Sequence, residues 1–184
     1  MSRQKHAKFI EKQLILRDRL WPQISDADLW VRTQRDGFIT IPRTMPLIMS
    51  IMDDLSKGRP VSSTYLELFC RSFDECFVIL HKPQEMAFHA GFTGQRAERT
   101  WKDRLQILAD LNFINIKSGP SGPMSYALIY NPYLVIKKHS DNNTPGLRDD
   151  KYNALIARAI EIGAKDLDPP IEDAAVDIDD EIPF

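Results

Sequence analysis

Residues 83–111 decide the fold, and their sequence is PQEMAFHAGFTGQRAERTWKDRLQILADL. Pro83 suits the first turn of a short helix, because its missing N–H would have no helical partner there. Gly91 permits the positive φ that often ends a helix, and the four residues that begin with it are typical of a turn. Apolar residues then recur at helical spacing from about Gln95 to Leu111. The stretch therefore predicts two helices joined by a tight turn.

Two further helices and a strand are predicted upstream of this pair. Thr44 can cap a helix whose apolar stripe ends near Leu55, and a second helix is predicted to begin at Ser62 or its neighbour. The run FVIL at residues 77–80 is short, apolar and rich in β-branched residues, which indicates a strand.

Downstream, two strands are predicted around a loop. Residues 113–117 and 124–130 have strand patterns, and the Gly- and Pro-rich residues 118–123 between them indicate a loop. The resulting order is helix, strand, helix, turn, helix, strand, loop, strand. The sequence thus predicts a mainly α fold with a small β-wing, an α+β winged helix-turn-helix.

This region resembles the winged-helix domains of bacterial DNA-binding regulators and plasmid replication proteins. The resemblance spans about residues 44–133 and rests on Ala87 and Gly91 in the helix-turn-helix and on an L..L..L.FI run that begins at Leu105 and ends at Ile114. It implies DNA binding, although winged helices also serve as protein-interaction modules.

The second helix of the pair has two distinct faces on a helical wheel. A core stripe is predicted from Ala97 through Trp101 to Leu108, and the opposite face carries cations and Gln106. Such residues suit phosphate contact and base-edge readout, and the wing adds further polar groups. A solvated amphipathic helix remains the alternative. The predicted DNA-binding residues are Thr93, Gln95, Arg96, Arg99, Lys102, Gln106, Lys117, Ser118 and Ser121.

Single-stranded DNA would need exposed aromatic side chains on which bases can stack. Tyr126, Tyr130 and Tyr133 are the candidates in this region. Strand alternation predicts that at least one of them packs in the core instead.

Charge is segregated along the chain, although the net charge is only −2. Residues 1–139 contain 20 Lys and Arg against 14 Asp and Glu, a net charge of +6. Residues 166–184 contain eight acids and no Lys or Arg, a net charge of −8. A basic body suits a polyanionic partner and an acidic tail suits a basic one. The tail could also mask the body and inhibit DNA binding.

These patterns divide the chain into five segments. They are an N-terminal helical extension (1–43), a winged-helix domain (44–138), a polar linker (139–148), a C-terminal helix (149–163) and a disordered acidic tail (164–184). The C-terminal helix could close the domain or form a homodimer.

The last eight residues, DIDDEIPF, resemble the acidic C-terminal tip of bacterial single-stranded DNA-binding protein (SSB), which recruits replication and repair enzymes. The resemblance covers only this tip. An aromatic ring beside a carboxylate can fill an apolar pocket next to a cation, and flanking acids can lie along a basic ridge. A merely solubilising tail is the alternative. The predicted partner-binding residues are Asp177, Asp179, Asp180, Glu181, Ile182, Pro183 and Phe184.

The sequence indicates no enzyme, cofactor or metal site. It lacks phosphate-binding, nucleotide-binding, nucleophile-elbow and zinc-protease motifs, and its four histidines are scattered. Cys70 and Cys76 lie six apart in an apolar segment and are predicted to be buried, reduced thiols. The apolar runs are too short to span a bilayer and the N-terminus is unlike a signal peptide, so a bacterial cytoplasmic location is expected.

Together these features suggest a DNA-binding protein of a plasmid or similar mobile element that recruits host replication or repair proteins through its tip. The alternatives are a sequence-specific repressor or replication initiator with a solubilising tail, and a decoy that only competes for SSB-tip-binding proteins.

Overall fold

The computed structural model describes residues 3–23, 25–34, 36–73 and 75–167. The predicted partner-binding tip lies outside these residues, as does the rest of the tail from residue 168.

The chain divides into two compact units, the first of which is Met1–Thr40. Its main element is helix α1 (Arg3–Leu20), which confirms the predicted N-terminal helix, and two short 3₁₀ turns follow at Asp26–Asp28 and Arg32–Gln34. The large apolar side chains of α1 are exposed: Phe9, Ile10, Leu14, Ile15, Leu16 and Leu20.

The second unit, Ile41–Phe184, begins with two packed helices, α2 (Met45–Leu55) and α3 (Ser62–Arg71). Thr44 occupies the predicted N-cap position of α2. Its hydroxyl makes no cap bond, however, because it bonds the Tyr133 hydroxyl. The N-terminus of α3 is held by Asp53 of α2, whose Oδ1 accepts from the Val61 and Ser62 backbone amides at 2.7 and 2.9 Å.

The next elements are strand β1 (Phe77–Ile79), helix α4 (Pro83–His89) and helix α5 (Ala97–Asp110). A hairpin of strands β2 (Ile114–Gly119) and β3 (Gly122–Ile129) follows. All pairings are antiparallel and the sheet order is β1-β3-β2.

Two helices close the second unit, α6 (Pro132–Asp141) and α7 (Asp149–Ile162). Helix α6 was not predicted, so the expected linker at 139–148 begins inside a helix. Helix α7 was predicted, and its Lys151 side chain donates to Ser50 Oγ at 2.7 Å on α2.

The start of the predicted disordered tail also belongs to this unit. Asp166 Oδ1 accepts from the side-chain Nδ2 of Asn131 at 3.1 Å, and the partly buried Leu167 packs against the core. The expected tail boundary at 164 therefore lies too early in the chain.

The core of the second unit is assembled from both helices and strands. Its largest fully buried side chains are Trp101, Tyr65 and Phe113. Across the described residues the architecture is seven α-helices with one small three-stranded antiparallel sheet, which confirms the predicted α+β class. No helix in the described ranges is both long and apolar enough to cross a membrane.

The two cysteines were predicted to be buried, and this was wrong. Cys70 lies on the outer side of α3 and Cys76 in the turn before β1, and both are exposed. The apolar residues around them suggested burial, but Phe73, which lies between them in the sequence, is itself 82% exposed.

Candidate nucleic-acid interface

The turn between α4 and α5 follows the pattern predicted from its glycines. Gly91 and Gly94 both have positive φ, at 89° and 82°. The Phe92 amide donates to Ala87 O at 2.9 Å and the Ala97 amide to Gly94 O at 3.1 Å, which closes the turn and starts α5. A short helix, a tight turn and a longer helix therefore stand in direct succession.

The inner face of α5 anchors the helix in the core. Trp101 is 1% exposed and Leu105 and Leu108 are fully buried, while Ala97 is half-buried, so the predicted core stripe is confirmed. Because this face is fixed by packing, the direction of the opposite face is fixed as well.

The α5 outer face is defined by Arg96, Arg99, Lys102, Asp103 and Gln106. All except Lys102, which is half-buried, are exposed. Within the described part of the chain the Arg96 and Arg99 guanidinium groups make no hydrogen bond or ion pair. Two unpaired, exposed cations three residues apart on one helix are available to an anionic partner.

Lys102 and Gln106 on the α5 outer face are engaged with acids on the same helix. Lys102 Nζ lies 2.6 Å from Glu98 Oε1, and Gln106 Nε2 donates to Asp110 Oδ1 at 2.9 Å. Glu98 also lies in the first turn of α5, where a carboxylate already complements the helix dipole. Glu98 weakens the predicted role of Lys102 in DNA contact, and its position in the first turn makes the α5 N-terminus less favourable for a phosphate.

The wing is a tighter hairpin than the sequence suggested. The predicted loop at 118–123 contains only a two-residue turn at Pro120 and Ser121, and Ser118 lies within β2. Lys117, Ser118 and Ser121 are exposed, as DNA contact would require.

The structure brings the wing and α5 together at one cleft of about 370 Å³. Lys102 lines it from α5 and Ser121 from the wing, with His81 between β1 and α4. Thr93 and Gln95 are exposed beside a second cleft, where Phe88, Gly94 and Glu98 also lie. The predicted residues thus occupy the α4–α5 turn, the α5 outer face and the wing.

The three candidate tyrosines have different surroundings. Tyr133 is buried in α6, Tyr130 is 40% exposed, and Tyr126 is half-buried against Phe77. Phe77 was missed as a functional candidate, because an apolar strand pattern does not show which of its side chains are exposed.

An ion-pair network that the sequence did not suggest links α3 to α4. Arg71 pairs with the buried Glu67 and with Glu85 at 3.2 Å, and it contacts His89 Nδ1 at 2.8 Å. Burial raises the pKa of the Glu67 carboxyl, and the hydrogen bond and charge of Arg71 oppose that shift. Within the described residues no three His, Cys, Asp or Glu side chains are grouped to hold a metal ion.

Comparison of the chain with models of protein families, with curated proteins and with solved structures finds no match.

Proposed function

We propose that this chain binds DNA through a winged-helix domain, which the elements α3 to β3 of the second unit form. The proposal is carried by one observation: the unpaired guanidinium groups of Arg96 and Arg99 are exposed at the N-terminal end of α5, directly after the turn that joins it to α4. The element order supports the proposal. So does the sheet order β1-β3-β2, in which a short first strand pairs with the second strand of a hairpin.

The wing would contribute a second set of contacts. Lys117 supplies a cation and Ser118 and Ser121 supply hydroxyl groups, which suit phosphate oxygens. Because Ser121 shares a cleft with Lys102 of α5, one DNA segment can reach both elements.

The acidic tail would recruit protein partners while this domain holds DNA. The four acids of its tip, Asp177, Asp179, Asp180 and Glu181, suit a basic docking ridge, and the Ile-Pro-Phe triplet at 182–184 suits an apolar pocket. The partners would be host replication and repair proteins that recognise the SSB tip. We therefore place the protein in the replication or maintenance of a plasmid or mobile element in the bacterial cytoplasm, without catalysis, cofactor or metal.

Fluorescence anisotropy tests the DNA-binding half of the proposal. Labelled single-stranded and duplex oligonucleotides of mixed sequence are titrated with the full chain and with a variant that lacks residues 177–184. We expect both proteins to bind DNA, with affinity that falls as salt rises. Absence of binding by both at low salt would overturn the proposal and favour a decoy of the SSB tip.

Partner capture tests the tail half. Phe184→Ala should abolish binding to purified SSB-tip-recognising proteins, whereas Ile178→Ala, which removes an apolar residue outside the terminal triplet, should have a smaller effect. Equal binding by the full chain and the variant lacking residues 177–184 would show that the tail only solubilises. Tight binding to one duplex sequence would then identify a repressor or replication initiator.

A further inference from the structure

The three-stranded sheet has one buried and one open face. Val78, Ala127 and Ile129 point inward and are between 0 and 6% exposed. Side chains at alternate positions must point to the opposite side of the sheet. The strand register therefore identifies a second surface that the second unit's core does not cover.

This outer sheet face is largely apolar and exposed. Phe77 is 43% exposed, Ile79 51% and Leu128 41%. A contiguous apolar surface of this kind commonly marks an interaction site. The residues of the outer sheet face are Phe77, Ile79, Asn115, Lys117, Tyr126 and Leu128.

An aromatic pair and a cation lie at its centre. The Phe77 and Tyr126 rings stack with centroids 5.7 Å apart and planes 25° from parallel. Lys117 on β2 is the register partner of Tyr126 on β3, so it flanks the tyrosine on the side away from β1. Two rings with a neighbouring ammonium group match the surface on which nucleic-acid bases stack while their phosphates are neutralised.

We propose that the outer sheet face binds single-stranded DNA, with bases stacked on Phe77 and Tyr126 and the backbone beside Lys117. Two of its six side chains are aromatic, and none of the six is acidic. The inference rests on the proposed DNA-binding function and assigns to it a single-strand site separate from the α5 outer face.

The test uses the full chain and single-stranded DNA of about 16 nucleotides, a length that one such domain can cover. Phe77→Leu keeps an apolar side chain and removes the aromatic plane, so single-strand affinity should fall about tenfold while duplex affinity is unchanged. Tyr126→Leu should act in the same direction. Ile160→Ala is the matched control, because it removes a side chain that is 73% exposed on α7 and should change neither affinity.

Circular dichroism and thermal unfolding confirm that each variant keeps its fold. Unchanged single-strand affinity in Phe77→Leu and Tyr126→Leu, with duplex binding retained, would overturn the inference and leave the proposed function standing. Absence of any DNA binding by the unmodified chain would overturn both the inference and the proposed function. Tighter binding of RNA of the same sequence, or a concentration-dependent dimer that Phe77→Leu dissociates, would assign the face to another occupant.

Discussion

Arg99 and Lys102 provide a direct comparison of a free and a neutralised cation on the α5 outer face. The Arg99 guanidinium is exposed and makes no ion pair within the described chain. The Lys102 ammonium lies 2.6 Å from the Glu98 carboxylate. Arg99→Gln and Lys102→Gln each remove one positive charge from the same helix, the first from an unpaired side chain and the second from an ion pair.

The size of the effect follows from counterion release. Each phosphate contact contributes about 0.9 to the slope of log affinity against log salt concentration. Arg99→Gln should therefore make the slope shallower by about 0.9, which is about a 3.5-fold difference over a fourfold change in salt. Lys102 must leave Glu98 to reach a phosphate, at a cost of about 0.5 kcal/mol. Lys102→Gln should consequently change the slope by less than half as much.

Glu98→Gln is the converse test. It releases Lys102 and removes an acid from the first turn of α5, so duplex affinity should rise and the salt slope should steepen. Anisotropy of a labelled duplex at four salt concentrations measures all three variants. Equal slopes for Arg99→Gln and Lys102→Gln would refute this reasoning, as would weaker binding by a folded Glu98→Gln protein.

Three further substitutions test the fold around the site. Gly119→Ala places a Cβ against the Tyr126 ring, so the wing should be destabilised by about 1–3 kcal/mol in urea unfolding; a loss near zero would show that the ring moves aside. Trp101→Ala should cost about 3–5 kcal/mol because the indole is 1% exposed, and a thermal unfolding midpoint close to that of the unmodified protein would contradict its core role. Burial raises the folded pKa of Glu67 above 4.5, so protonation favours the folded state. The free energy of unfolding of the unmodified protein, relative to that of Glu67→Gln, should thus fall as pH rises from 4.5 through that folded pKa. If urea unfolding gives the same difference between the two proteins at every pH, the pKa shift is excluded.

The helical pair at the centre of the fold was predictable because several independent signals agree there. Glycines with positive φ end α4 and shape the turn, and a sustained helical period from Ala97 to Leu108 sets the buried face of α5. The ion pairing along α5 was harder to predict from the sequence. Glu98 and Lys102 are spaced for an ion pair, but only the structure shows that the pair forms while Arg99 stays free within the described chain.

Helix α6 was missed although its start carries a local signal. Asn131 caps the helix by accepting from the Tyr133 amide at 3.0 Å, and Pro132 occupies the first turn. The preceding strand pattern and the polar residues after 139 suggested an extended segment and a linker. Tertiary packing decides against this, because Val135 and Ile136 are buried in the core.

The strand at residues 77–80 was predicted, but the sequence did not show that one of its faces is open. Four consecutive apolar residues satisfy the pattern of a strand buried on both faces, yet the exposure of β1 alternates and leaves Phe77 and Ile79 on the outer sheet face. Sequence alone cannot assign apolar residues to a buried or an open face when no polar residue interrupts the run. Aromatic side chains kept on an open face have a cost in solubility, so they are expected where a partner covers them. The stacked rings of Phe77 and Tyr126 beside Lys117 are the reason that we propose single-stranded DNA as that partner.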